Sequence, residues 1–128
     1  MITLMFVHVC WVFLLYVLLT ILRAPSAWGV DTRSGQLRKL ARYEPKVSAN
    51  LTNQFEWPLL FYAGGILSIA TGVTDSFIIA CAVTFLLGRF IHSAVQILTD
   101  NIRLRGALFT VNFLAVMLMW VRLVLVNS

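Results

Sequence analysis

The chain has 128 residues, of which 60% are hydrophobic and only 12% are charged, and its formal net charge is +5 at pH 7. A water-soluble domain of this length needs more polar surface than this composition supplies, so the apolar excess must face lipid. The length suits four membrane spans of roughly 20 residues each, joined by one longer loop. The basic residues lie between apolar blocks, where the positive-inside bias explains them, and we expect no nucleic-acid partner.

Both cysteines lie inside apolar runs. Cys10 and Cys81 have no CxxC partner and no cysteine–histidine spacing of the kind that zinc requires. A free thiol in such a run behaves as a small hydrophobic side chain. We therefore expect neither a metal site nor a disulfide framework.

The first predicted helix covers residues 2–22 and ends at Arg23, with Pro25 just beyond it as a stop signal. No Lys or Arg precedes the apolar run, which is longer than the core of a usual signal peptide. We therefore expect this segment to be a retained membrane span. The polar segment over residues 23–50 follows it, and the spacing of apolar residues favours a short interfacial helix over residues 36–43.

Three further spans are predicted over residues 51–70, 76–98 and 104–126. Thr71-Gly72 ends the second span, and Asp75 can cap the start of the third. The chain therefore reads as one all-α domain over residues 1–128, a bundle of four transmembrane helices.

The loop charges predict how the bundle lies in the membrane. Cations concentrate between the first and second spans and between the third and fourth, while the turn between the second and third spans carries only Asp75. These cations are Arg23, Arg33, Arg38, Lys39, Arg42, Lys46, Arg103 and Arg105. Both cationic loops are expected to be cytoplasmic, so both termini point away from the cytoplasm. In a bacterium the membrane is the inner one.

Polar residues interrupt the second and third spans: Asn53, Gln54, Glu56, Arg89, His92 and Gln96. An ionisable group in a span costs at least about 2.5–3.5 kcal/mol on insertion scales, so such residues normally face the bundle interior. At about 1.5 Å per residue, Glu56 lies about 8 Å from the cytoplasmic start of its span, with His92 about 9 Å and Arg89 about 14 Å from the end of theirs. Arg105 opens the fourth span on the same side, so the polar groups of three spans converge on one layer.

Two interpretations of this layer remain open. A Glu56–Arg89 ion pair, with Asn53 and Gln96 as hydrogen-bonding partners, could simply hold two spans together. Alternatively, the surplus of positive charge near the layer could bind an anionic ligand that enters from the cytoplasm. His8 is predicted to lie away from this layer, as a packed or interfacial histidine.

These motifs resemble those of the membrane-associated proteins in eicosanoid and glutathione metabolism, the MAPEG family, in its prokaryotic form. The resemblance rests on Asn53-x-x-Glu56-x-Pro58 in the second span, Gly88-Arg89-x-x-His92 in the third and Arg105-Gly106 at the start of the fourth. It implies a homotrimer that holds glutathione, as co-substrate, at subunit interfaces near the cytoplasmic side. Members conjugate glutathione to lipophilic electrophiles, reduce lipid hydroperoxides or isomerise lipid mediators.

The resemblance also implies a role for each matching residue. Asn53, Glu56, Arg89 and His92 would bind glutathione, and Arg105 would be the catalytic residue that stabilises its thiolate. Arg103 is a second candidate beside it and a further ligand-binding residue. A nearby guanidinium favours the charged form of a thiol, and the thiolate is the nucleophile.

At two positions the chain departs from the family pattern, and both departures favour a non-catalytic function. Ala49 stands where enzymatic members usually carry an arginine, and Gln96 stands where they commonly carry a tyrosine. The hypotheses are therefore a glutathione transferase or peroxidase acting on membrane-dissolved substrates, and a non-catalytic accessory or scaffold subunit of a larger membrane complex. The surplus of arginine favours the enzyme, and the two departures favour the scaffold.

Overall fold

The computed structural model describes residues 1–29 and 35–128, which are almost entirely helical and contain no strand. Six α-helices lie in these ranges: α1 Ile2–Ala27, α2 Gly35–Ala41, α3 Glu44–Glu56, α4 Pro58–Ala70, α5 Ser76–Leu98 and α6 Ile102–Asn127. Asp31 and Arg33, two charged residues of the predicted loop, lie outside the described residues. The prediction of an all-helical protein is confirmed.

Within the described residues, three helices are long and apolar enough to cross a membrane, namely α1, α5 and α6. They contain 26, 23 and 26 residues, and about 20 suffice for the hydrocarbon core. Their outer faces carry large apolar side chains such as Phe13, Ile91 and Leu118, each about half or more exposed. An apolar exterior of this kind suits lipid, and the chain is an integral membrane protein.

The region predicted as the second span is divided into α3 and α4, of 13 residues each. Pro58 has no N–H to donate to the carbonyl of Gln54, which interrupts the helical ladder. Trp57 nevertheless keeps helical dihedral angles, with φ −68° and ψ −35°, so α4 continues the helical backbone of α3.

The start of α3 also differs from the expected start of this span. α3 begins at Glu44, whereas the predicted span begins at residue 51. Pro45 stands in the first turn of α3, where a proline costs no hydrogen bond, and it marks the helix start that the apolar pattern did not show. Much of the predicted loop is therefore helical.

The turns between the later helices are closed by side-chain caps. Asp75 accepts a hydrogen bond from the backbone N–H of Ile78 at the start of α5, and Asn101 accepts one from Leu104 at the start of α6. Asp75 also pairs with Arg122 of α6 at 2.8 Å, which joins the two ends of the α5–α6 hairpin. The backbone hydrogen bond and Arg122 hold the pKa of Asp75 below 3.8, so the pair is charged at neutral pH.

Two apolar clusters hold the helices together. The larger one joins α4, α5 and α6 through residues such as Phe61, Phe85 and Met119. The smaller one joins α1 to α3 through Leu15, Leu19, Val47 and Leu51. Between the two clusters lies a polar layer, which contains the candidate site.

Candidate functional site

Arg89 of α5 lies at the centre of the polar layer and is 1% exposed. Its Nε and Nη2 atoms donate to Oε1 of Gln54 at 3.1 and 2.9 Å, and Nη2 also donates to the backbone carbonyl of Asn53 at 2.7 Å. Its guanidinium is therefore held by neutral dipoles on α3. A guanidinium satisfied in this way fixes the distance between α3 and α5.

The predicted Glu56–Arg89 ion pair is wrong. Glu56 is exposed and forms no ion pair with any residue in the described ranges. Gln54 and Glu56 are two residues apart, about 200° around a helix, so only one of them can point into the bundle. The inward position belongs to Gln54, which is 2% exposed.

The predicted position of His8 is also wrong. His8 was expected to lie away from the polar layer, but it is part of that layer. It is fully buried, with Nε2 at 3.2 Å from Oε1 of Gln54 and Nδ1 at 2.7 Å from the hydroxyl of Tyr62. Since Oε1 of Gln54 can only accept, His8 must donate from Nε2, and Tyr62 donates to Nδ1 of the neutral ring. The neutral tautomer that follows links α1 to α3 and α4.

Gln96, near the end of α5, extends the network towards the turn between α5 and α6. Its Oε1 accepts hydrogen bonds from Nδ2 of Asn50 at 2.9 Å and of Asn53 at 3.2 Å. Nε2 of Gln54 donates to Asn50 at 3.2 Å and to Ser93 at 3.1 Å. Asn50 and Ser93 were missed in the sequence analysis, although the start signal at Pro45 would have placed Asn50 on α3.

A cavity of about 590 Å³ opens between α3, α5 and the first turns of α6. Its polar lining includes Asn53, His92 and Arg105, and its other walls include Gly106 and Phe109. The structure thus brings together three residues of the predicted site, one from each helix. We call this space the upper cavity.

A second cavity of about 380 Å³ lies beside it, towards the turn between α5 and α6, and shares Ala49, Gln96, Ile102 and Arg105 with the upper one. We call it the lower cavity. Lys46 and Asp100 lie at its rim, where Nζ of Lys46 donates to Oδ1 of Asp100 at 2.7 Å. This ammonium lowers the pKa of Asp100 from 3.8, so the pair is charged at neutral pH.

Two buried side chains near the upper cavity have unpartnered polar atoms. Nδ1 of His92, a residue that is 2% exposed, forms no hydrogen bond within the described part of the chain, and neither do Oδ1 and Nδ2 of Asn112. Asn112 packs against Gly88, one turn before His92 on α5. Buried polar atoms normally have hydrogen-bonding partners, because a buried polar atom without a hydrogen bond costs about 1–3 kcal/mol. His92 also lines the upper cavity, so its ring can contact a ligand bound there.

The remaining predicted site residues do not line either cavity. Arg89 is occupied by Gln54 and Asn53, and Glu56 lies on the outer face of α3. Arg103 is exposed two residues before Arg105, on another side of α6. No group of metal-binding side chains occurs within residues 1–29 and 35–128.

The chemistry of the combined cavities suits an anionic, peptide-like molecule. Arg105 and Lys46 supply positive charge, and Asn53 and His92 supply hydrogen-bonding groups. Both cavities open at the end of the bundle where the two cationic loops of the sequence analysis join α3 and α6. An anion of extended shape could contact all four residues.

Comparison with known families gives one match. A sequence model described as the MAPEG family matches residues 1–125. No curated protein and no solved structure matches the chain. The match covers nearly every residue and confirms the resemblance inferred from the motifs of the second, third and fourth spans.

Proposed function

The chain belongs to the MAPEG family, and on that premise we propose that it binds glutathione in the upper and lower cavities and presents its thiolate to lipophilic substrates. The proposed activity is that of a glutathione transferase or peroxidase, with glutathione as co-substrate. The family includes both glutathione-dependent enzymes and non-catalytic members. The choice between them therefore depends on the site.

The observation that carries the proposal is the convergence of Asn53, His92 and Arg105 on one cavity, continuous with a second that Lys46 borders. Lys46 and Asn53 are seven residues apart on α3, a rise of about 10.5 Å. An extended tripeptide spans about 10 Å. The wall of the combined cavities therefore has the length of glutathione.

In the proposed reaction, Arg105 acts on the thiol. An ordinary thiol has a pKa of about 8.5 and is mostly protonated near neutral pH. The Arg105 guanidinium favours the thiolate. Its sulfur attacks an electrophilic carbon to form a thioether while the leaving group departs with the bonding electrons, or it attacks the terminal oxygen of a hydroperoxide. In the second case the O–O bond breaks, glutathione sulfenic acid forms, and the alkoxide takes up the proton that the thiol released to become the alcohol. The glutathione sulfenic acid then reacts with the thiol of a second glutathione to give the disulfide and water.

The other residues have proposed roles in holding the peptide. Asn53 and His92 hydrogen-bond to glutathione from opposite walls of the upper cavity, and Arg89 positions Asn53 through its backbone carbonyl. Glu56 lies on the outer face of α3, and its proposed role is to accept a hydrogen bond from the ammonium of glutathione bound to a neighbouring copy of the chain. Arg103 adds positive charge outside the cavities and is a weaker candidate for the thiolate.

We also propose that α3 and α4 together form the second of four membrane spans. Their 27 residues, with the helical Trp57 between them, measure about 40 Å, which exceeds the thickness of the hydrocarbon core. The basic segments then face the cytoplasm and both termini lie on the other side, in the inner membrane if the organism is bacterial.

Glu56 supports the proposal of a homotrimer. A carboxylate that faced lipid at this depth would cost several kcal/mol. Contact with a second copy of the chain would cover the outer face of α3 and remove this cost. A trimer also brings residues of neighbouring copies to the edge of the upper cavity.

The alternative is a non-catalytic subunit of a larger membrane complex. It is supported by Ala49, which lines both cavities without offering charge or a hydrogen bond. It is supported as well by Gln96, whose Oε1 already accepts two hydrogen bonds within the bundle. In this case the polar network serves only to hold α1, α3 and α5 together.

Calorimetric titration of the detergent-purified protein with glutathione separates the two functions. The enzyme requires glutathione binding. His92→Gln should lower the affinity for glutathione by roughly fivefold, which corresponds to the free energy of about one hydrogen bond. His8→Gln is the matched control, because it changes the other buried histidine at a position outside both cavities. If folded wild-type protein binds no glutathione, the scaffold function is favoured instead.

A further inference from the structure

We propose that Lys46 is the carboxylate anchor for the bound peptide in this chain and that Asp100 competes with the ligand for it. The inference rests on the proposed function and deepens it, because it assigns a ligand contact to the lower cavity. It also assigns a role to an ion pair that otherwise looks like an ordinary surface contact.

The geometry of the lower cavity supports this assignment. Lys46 projects from the face of α3 that also carries Ala49 and Asn53, at spacings of three and seven residues. Arg105 lies on the opposite wall. A peptide that reaches Arg105 and Asn53 in the upper cavity would place one terminal carboxylate beside Lys46.

Charge also favours an anion at this position. The lower cavity is bordered by two cations, Lys46 and Arg105, and by a single carboxylate, that of Asp100. While Asp100 holds Lys46, only Arg105 is available to a ligand. When Asp100 is displaced, Lys46 is free to bind a carboxylate of the ligand, while Arg105 remains opposite the thiolate.

Asp100 is placed so that it can be displaced easily. Its side chain is 92% exposed and accepts a hydrogen bond from Nζ of Lys46. It lies in the turn between α5 and α6, where Asn101, not Asp100, caps the helix. Rotation of Asp100 into water therefore breaks only one solvent-screened ion pair, which contributes little in exposed positions.

The experiment is a set of glutathione titrations on the full-length protein in detergent. Asp100→Asn removes the competing charge and should tighten binding roughly two- to fivefold, the range expected for an exposed pair. Lys46→Met should weaken binding roughly fivefold or more, and Lys46→Arg should restore it. In the double variant Lys46→Met with Asp100→Asn, the gain from Asp100→Asn should disappear.

Glu44→Gln supplies the matched control. Glu44 pairs with Arg23 at the same 2.7 Å but borders neither cavity. The control should leave the affinity unchanged, which separates competition at the site from a general change in net charge.

Two results would overturn the inference alone: binding by the wild type that Lys46→Met leaves intact, or an Asp100→Asn variant with unchanged affinity. Absence of binding in both the wild type and Asp100→Asn would instead contradict the proposed function together with this inference. A thermal melt of each variant confirms that the comparison is made between folded proteins.

Discussion

Arg89 illustrates how one buried charge is accommodated without a carboxylate among the described residues. Gln54 accepts two of its hydrogen bonds and the carbonyl of Asn53 accepts a third. Charge-assisted hydrogen bonds are about twice as strong as neutral ones, so these dipoles offset much of the cost of burial. Since Arg89 also fixes Asn53, the polar network shapes the wall of the upper cavity.

Arg105 differs from Arg89 because it lines both cavities while its helix turn remains exposed. We predict that Arg105→Ala lowers turnover by roughly tenfold or more and changes glutathione affinity only a few-fold, since one pKa unit on the thiol corresponds to about 1.4 kcal/mol. Steady-state kinetics with a model electrophile and calorimetric titration measure the two effects separately.

Arg103→Ala is the control for this prediction, because Arg103 carries the same charge two residues away and lines neither cavity. It should leave both turnover and affinity near the wild-type values. An equal loss of affinity in Arg105→Ala and Lys46→Met, with no separate loss of turnover, would make Arg105 another anion contact.

At the scale of the helices, the hairpin of α5 and α6 includes one close approach at Gly88. A Cβ atom added at Gly88 would collide with the side-chain amide of Asn112. Gly88 therefore leaves the space that the Asn112 side chain occupies where α5 and α6 meet. Small residues commonly allow such close approaches between membrane helices.

We predict that Gly88→Ala destabilises the protein by about 1–3 kcal/mol, the usual cost of overpacking. Thermal melting in detergent provides the measurement. The double variant Gly88→Ala with Asn112→Ala should recover much of the loss, because the colliding amide has been removed. Gly106→Ala is the matched control on α6, where an added Cβ meets no atom within 4 Å. It should be neutral or stabilising, and equal destabilisation in both single variants would contradict the packing argument.

The whole molecule was partly predictable from its sequence. Long apolar runs identify α1, α5 and α6 because lipid imposes apolar surface along a whole helix. The start of α3 and the break at Pro58 were missed, since polar residues such as Asn50 obscure the hydrophobic pattern there. Contacts between helices were harder still to predict. His8 and Gln54 meet because of how α1 and α3 are rotated about their axes, which depends on packing and cannot be predicted from residue spacing alone.

At the candidate site too, the depth of each residue was predictable from the sequence, whereas the rotation of each helix was not. Asn53, His92 and Arg105 could be expected to lie near one another, because depth in the membrane follows from position along each helix. Which of Gln54 and Glu56 points inward depends on how α3 is rotated against α5. In the proposed homotrimer the choice of ligand would also depend on neighbouring copies of the chain, and glutathione binding stays a prediction.

The orientation of the bundle gives a prediction for the whole molecule. A reporter fused after Ser128 should be located outside the cytoplasm, because the predicted cationic loops adjoin the ends of α3, α5 and α6 that border the cavities. A phosphatase that folds only outside the cytoplasm measures this location. The same reporter fused after Asp100 should be inactive. Activity in the second fusion and none in the first would reverse the orientation and place the cavities on the other side.

The polar face of α3 has a consequence for biogenesis. Asn50, Asn53 and Gln54 obtain many of their partners from α5, which the ribosome synthesises later. A nascent chain that ends before α5 would have to expose these groups to lipid, at a cost that insertion does not favour. We therefore expect α3 to wait at the membrane surface or in the insertion machinery until Arg89 and Ser93 have emerged. We expect the network that holds the finished bundle together to influence the order in which its segments enter the bilayer.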